Sequence, residues 1–351
     1  MRSGGILHSV RGMNHTPSSA AGVLAGRAAD AGLALTHGGR RWHRPLVALA
    51  VFGGAVALCS LAAMPFDDRT LLGDSVWSKP FKFGFAFFAY GLSLAWLLSH
   101  MTKLRRTGWV VGTVFAVVSA VDFAVVVAAA AAGTFSHFND TDTVLNQVVQ
   151  LAFDFVPLLF LTNAAIAVLV LFQRIGDRAV TAVIRWGLAL SSLGMFAAFF
   201  ILAVAEQHDR TRTDANGDTI PLSGGHGVGD PDGNGMVLTG WSTTGGDLRV
   251  SHFIGLHGIQ VLIGLAMLLS LLAARRAWLR DDRVRGAIVR WAAVGYLGVF
   301  AITVWQAVRG QAFTAPDAAS LAAYAAAVLT AAAGVAVTAA RARRRASTAA
   351  A

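Results

Sequence analysis

Eight apolar stretches, each long enough to cross a bilayer, divide this 351-residue chain at 46–64, 81–100, 109–133, 147–172, 179–205, 252–274, 287–308 and 318–340. A spanning helix needs about 20 mainly apolar residues at about 1.5 Å rise each. In hydrocarbon a backbone must also satisfy its own hydrogen bonds, which leaves helices or closed barrels. Apolar runs of this length fit helices, so the expected fold is an all-α membrane protein with eight transmembrane helices. Composition agrees: 55% of the residues are hydrophobic and 14% charged, against roughly 25% charged in soluble domains. A soluble globule is excluded.

The formal net charge of +10 would suit a nucleic-acid binder, but its distribution does not. Basic residues gather before the first span (Arg2, Arg11, Arg27, Arg40, Arg41, Arg44) and then in every second connection. These hold Lys103, Arg105 and Arg106; Arg174, Arg178 and Arg185; Arg275, Arg276 and Arg280 to Arg290; and finally Arg341 to Arg345. The connections between them are neutral or acidic. Lys and Arg accumulate on the cytoplasmic side, so the expected setting is the cell membrane with both termini cytoplasmic. The expected partner is the lipid bilayer and not nucleic acid. Residues 1–44 read as a disordered basic cytoplasmic tail, 45–341 as the membrane domain, and 342–351 as a second basic tail. Cys59 is the single cysteine, so no internal disulfide forms and no cysteine cage holds a metal.

Six of the seven connections between spans are short, whereas 206–251 is long, expected to be extracytoplasmic, and rich in Gly and Asp. Long connections are often functional. A weak repeat relates spans one to four with spans five to eight. Asp68, Arg69 and Thr70 match Asp209, Arg210 and Thr211; Trp77 and Ser78 match Trp241 and Ser242; Lys79 and Lys82 match Arg249 and His252. A duplicated four-helix unit accounts for such a pattern.

Polar residues inside spans point to a site. Asp122 falls near the bilayer middle, where carboxylates face the bundle interior and pair, bind ions or relay protons. Gln147, Gln150, Asp154 and Pro157 recur on one helical face of the next span, which brings a second carboxylate into the same half of the membrane. His137 and Asn139 end the third span; His257, Gln260 and Gly264 share a face of the sixth; Gln306 and Arg309 close the seventh. The expected substrate-binding set is Asp122, His137, Asn139, Gln150, Asp154, His257, Gln260, Gln306 and Arg309. Together they form an outward vestibule for a small polar or anionic solute, with proton coupling through the two aspartates. In the long connection Asp230, Asp232 and Asn234 follow the opening spacing of a calcium loop, but Trp241 stands where an EF-hand needs Glu. A solvated turn is the simpler reading.

The run from Gly240 to Arg249 followed by His252, Phe253, Gly255, Leu256 and His257, together with Ser136 to Asn139 and Trp305 to Gln311, resembles an uncharacterised family of actinobacterial and related bacterial membrane proteins. That likeness implies a polytopic fold and brings no reaction or cofactor. Eight spans in two halves also resemble the layout of haem A synthases, with His137 and His257 as the axial pair, since imidazoles ligate haem iron. This chain departs from that pattern because spans four and eight lack histidine. A metal-dependent hydrolase resembling alkaline ceramidases in outline would use Ser136, His137, Asp122, His252 and His257 around zinc. However, His252 and His257 are five residues apart instead of four. A non-catalytic assembly role is the remaining alternative.

Overall fold

Every span forms one continuous helix except where proline removes a backbone donor. The computed structural model describes residues 42–173, 175–203, 209–229 and 235–348. It contains α1 (Arg44–Ala63), α2 (Ser78–Ser99), α3 (Arg105–Ala131), α4 (Val144–Phe153), α5 (Val156–Leu171), α6 (Arg178–Ala203), α7 (Leu248–Ala273), α8 (Asp282–Val308) and α9 (Ala318–Thr348). With α4 and α5 taken as one crossing, eight helical segments are long and apolar enough to span a membrane. The chain is a multi-pass membrane protein. The tail reading of residues 1–41 and the calcium reading of Asp230, Asp232 and Asn234 both lie outside the described residues.

The fourth span is where the structure departs from the expected single helix. Asp154 caps α4, Phe155 N–H turns back to the Ala152 carbonyl at 3.1 Å, and Pro157 stands in the first turn of α5. Proline has no N–H to continue the ladder, so the helix breaks and restarts. The supposed face shared by Gln147, Gln150, Asp154 and Pro157 therefore does not persist, and Asp154 is exposed. At the other end of the chain α9 runs through the basic residues to Thr348. At about 1.5 Å per residue its 31 residues reach about 46 Å, beyond a hydrocarbon core of about 30 Å.

Each group of four spans has the same neighbours. In the first, α1 packs on α2 and α3, α2 on α3, and α3 on α4 and α5. In the second, α6 packs on α7 and α8, α7 on α8, and α8 on α9. The closest crossing in each half is made by glycines facing each other. A Cβ built on Gly84 would lie 2.6 Å from the Gly53 carbonyl oxygen, and one on Gly194 would run into the backbone of Gly255 and Leu256. Small residues let helix backbones approach and gain dispersion contacts where lipid offers no hydrophobic drive. Gly264, read as an approach point, instead meets open space, and Gly255 and Gly258 do that work.

The halves join along a polar seam. Tyr90 on α2 donates to Asn163 Oδ1 on α5 at 2.7 Å, and Asn163 Nδ2 donates to Ser191 and Ser192 on α6 at 3.3 and 2.9 Å. Gln260 on α7 donates to Ser93 on α2 at 3.2 Å. Asn163 and Ser191 are completely buried.

The long connection is folded. A small hairpin of β1 (Thr70–Leu71) with β2 (Asp74–Ser75) precedes α2; in the long connection β3 (Asp209–Thr213) pairs antiparallel with β4 (Thr219–Ser223), and β5 (Gly227–Val228) pairs with β6 (Gly246–Asp247). The β3–β4 hairpin closes the end of α3, where unpaired carbonyls need donors: Asn216 Nδ2 reaches Ala132 O and Ala215 N–H reaches Gly133 O, both at 2.9 Å. Arg69, gripping Asp67 at 2.8 Å, supplies Ala131 O. The end of the bundle carrying this connection is called the loop end below, and the opposite end, with Arg275, Arg285 and Arg343, the basic end.

Gly255→Val and Gly84→Val are each expected to destabilise the detergent-solubilised protein by about 1–3 kcal/mol, the usual cost of overpacking. Gly264→Val should leave the thermal unfolding midpoint unchanged. Equal midpoints for all three variants would show that these crossings do not hold the bundle.

Candidate functional site

The first turn of α2 enters the membrane with two lysines, and their surroundings differ. Lys82 faces Asp74 at 4.0 Å and donates to the Thr239 carbonyl at 3.2 Å. Among the described residues, no carboxylate lies within hydrogen-bond distance of Lys79. Its ammonium donates to Ser136 Oγ at 2.8 Å and to His137 Nδ1 at 2.9 Å, and these two side chains are 3.2 Å apart. Phe138 adopts a left-handed backbone, with φ 61°, unusual for a bulky residue. It turns the chain between His137, directed at Lys79, and Asn139, which ties down the next turn.

Above this cluster lies the long connection. The β4 strand extends the 138–140 turn: Ser223 N–H donates to Phe138 O and Asp140 N–H to Pro221 O, both at 2.9 Å. The β5–β6 pair holds His226 at 6.2 Å from His137, centroid to centroid, and at 4.9 Å from Phe138. Asp247 is 2% exposed and accepts from Arg249 at 2.6 Å and from the Ser242 N–H at 2.8 Å. Arg249 also donates to Gly240 O at 2.6 Å, which closes the 240–249 segment over α2. The expected open vestibule is therefore covered.

Below the cluster, Asp122 on α3 is 6% exposed. It lies about 14 Å from the helix's loop end at 1.5 Å per residue, and its carboxylate makes no hydrogen bond with another described residue but sits in the electrostatic field of Lys79. Ser119, one turn away on α3, is completely buried and its hydroxyl has no partner among the described residues. A half-buried lysine and a buried aspartate on neighbouring helices, in each other's electrostatic field but without a direct ion pair, are suited to binding a polar solute or moving a proton.

Of the nine expected site residues, Asp122 and His137 belong here, while most of the others serve structure. Asn139 accepts from Thr141 N–H and Oγ1 at 3.0 and 2.7 Å, closing a turn, and Gln150 is exposed and donates to Asn139 O at 3.3 Å. Gln306 donates to Ala312 O at 2.7 Å and accepts from Tyr324 at 2.8 Å. Arg309 stacks on Trp305 at 3.7 Å and pairs with Asp317 at 3.1 Å. Asp317 in turn caps α9 through the Ser320 N–H, which with the Ser320 hydroxyl and Arg309 holds its carboxyl at about 2. Asp154 is exposed beyond the helix break. His257 stacks on Phe253 with ring centroids 6.2 Å apart, and Gln260 belongs to the seam. His252 donates to the Gly194 carbonyl at 2.8 Å. Lys79, Ser136, His226 and the Asn163 seam were absent from the expected set. The signal for Asn163 is an amide in the interior of a mainly apolar span.

The cofactor alternatives fit these residues poorly. The His137 ring is packed against Phe153 at 4.4 Å, Phe83 at 6.3 Å and His226, and its Nδ1 is taken by Lys79. Among the described residues, no three His, Cys, Asp or Glu side chains converge as a metal site would require. Comparison with protein-family models, curated proteins and solved structures gives no match, so the site rests on its own geometry.

Burial, then Lys79 and His252, hold His137 well below the usual histidine range. For His226 the causes are burial and then Arg249, His137 and Lys79. Both imidazoles are neutral in the folded protein, whereas in the unfolded chain they protonate at about 6.5. The unfolded state therefore takes up more protons below that pH. Their contribution is complete above about pH 6.5 and is lost as pH falls. The thermal midpoint should drop between about pH 7.5 and about pH 5, and His137→Gln with His226→Gln should flatten the drop. An unchanged slope in the double variant would refute the assignment.

Proposed function

We propose that this protein lies in the cell membrane with both termini cytoplasmic, and that its loop end holds a covered polar chamber for a small anionic solute. The observation carrying this reading is the company of Lys79. Its neighbours Arg249 and Lys82 already face Asp247 and Asp74, whereas Lys79 is met by the neutral Ser136 and His137. An anionic group arriving there completes the ammonium's coordination with a charge-assisted bond. Asp122, buried beneath it, is the carboxylate that couples a proton to that event. The long connection is the cover that a solute must displace.

The test is a thermal-shift series on the full chain in neutral detergent with acetate, inorganic phosphate and aspartate. At least one anion should raise the wild-type midpoint by about 2 °C or more at saturation and leave Lys79→Met unmoved. Asp122→Asn should keep the shift but lose its dependence on pH. If no anion separates wild type from Lys79→Met, the chamber does not bind anions of this class.

One contact favours a second reading: Ser136 Oγ at 2.8 Å from an amine is the nucleophile–base pairing of a serine–lysine hydrolase. Against it, Ser136 is only 4% exposed beneath the cover. Labelling of wild type but not Ser136→Ala by a fluorophosphonate would select hydrolysis.

A further inference from the structure

A cavity lies far from Lys79, at the basic end. There α7, α8 and α9 diverge around the short 3-10 turn Ala277–Leu279 and enclose a cleft of about 990 Å³. Buried Leu269 and Ile288 form its floor, while Arg275, Arg276 and Arg343 stand at its rim. The divergence follows from sequence. Nearer the middle, Gly295, Gly298 and Gly334 let α8 and α9 pack backbone to side chain: a Cβ on Gly295 would lie 2.6 Å from Ala331 Cβ. Toward the basic end that glycine pattern stops, and Trp278 occupies the gap with Arg343 5.0 Å over its ring.

The three rim arginines are all exposed, and none makes an ion pair with another described residue. The acids at this end are occupied elsewhere. Asp177 takes Arg285 at 2.7 Å, Asp282 accepts from the Arg178 N–H at 3.1 Å, and Asp281 accepts from the Arg283 N–H at 2.8 Å. An apolar cleft opening toward the bilayer, rimmed by unneutralised guanidinium groups at the depth where α7 and α9 leave the hydrocarbon, matches the two ends of a phospholipid. Guanidinium groups bind phosphate oxygens bidentately, and basic pockets between membrane helices bind anionic headgroups.

We propose that this cleft binds an anionic phospholipid from the adjacent leaflet, its acyl chains against Leu269 and Ile288 and its phosphate between Arg275, Arg276 and Arg343. Trp278 supplies the readout. The full chain is reconstituted into phosphatidylcholine vesicles, and the fluorescence difference between wild type and Trp278→Phe is followed as brominated phosphatidylglycerol or brominated phosphatidylcholine is added. Wild type should show about tenfold stronger apparent quenching by the anionic lipid, as a few basic groups at a membrane surface provide. The triple variant Arg275→Gln, Arg276→Gln, Arg343→Gln should lose that preference. Arg105→Gln with Arg106→Gln, at the same end but outside the cleft, should keep it.

Equal quenching by both lipids in wild type overturns the proposal. Loss of preference in both arginine variants also overturns it, because it reduces the effect to general surface charge. Abolition of the preference by millimolar inorganic phosphate assigns the arginines to a soluble anion and overturns the lipid. Retained helical circular dichroism in the triple variant excludes misfolding as the cause of its loss.

Discussion

The near-contact of two glycine backbones in each half sets the positions of the other helices. Where Gly53 meets Gly84 and Gly194 meets Gly255, α1 with α2 and α6 with α7 lie as close as helices can. Dispersion between packed backbones is a main source of cohesion for helices surrounded by lipid. Gln260 on α7 donates to Ser93 on α2 at 3.2 Å, and the two crossings set the register in which the first turns of α2 and α7 reach the loop end. Lys79 and Lys82 on α2 and Arg249 and His252 on α7 follow from that register. The cluster under the long connection thus depends on glycines that are not part of it.

Charge is handled differently at the two ends of the bundle. At the loop end, carboxylates and carbonyls meet most of the basic groups: Asp67 takes Arg69, Asp247 takes Arg249, Asp317 takes Arg309, and Asp74 faces Lys82. Lys79 is the ammonium in that region served by neutral partners. At the basic end the described acids are used on helix N-termini and on Arg178 and Arg285, which leaves Arg275, Arg276 and Arg343 exposed and without a carboxylate among the described residues. In a medium where desolvation is costly, these remaining cations mark the two places where an external anion finds the most favourable field.

Much of this was readable from residue order, and the unread part has a common physical cause. Eight spans, the alternating basic connections and the burial of Asp122 follow from hydropathy and the cost of a charge in hydrocarbon. Asp154 misled because a helical face was carried through Pro157, although the proline itself signals the break. Arg309 and Gln306 looked like site residues because their type and depth fitted; their roles as ties to Asp317, Ala312 and Tyr324 depend on where α9 begins, which periodicity does not specify. Lys79 emerged over Arg309 only through pairing, since a cation's partners lie on other helices and are set by tertiary packing. The pairing of β3 with β4 was hidden because the β4 hydrogen bonds also run to the 138–140 turn, distant in sequence.

The seam from Tyr90 through Asn163 to Ser191 and Ser192 differs in kind from the loop-end cluster. It is built from a phenol, an amide and two hydroxyls, none of which changes charge near neutral pH. Its buried location also keeps mobile ions from screening it. Acid or salt that alters the His137, His226 and Lys79 region therefore leaves the joint between the halves intact. The molecule combines a seam of neutral groups with a cover that carries a titratable histidine, so a change of pH or salt acts at the loop end while the joint between the halves keeps its hydrogen bonds.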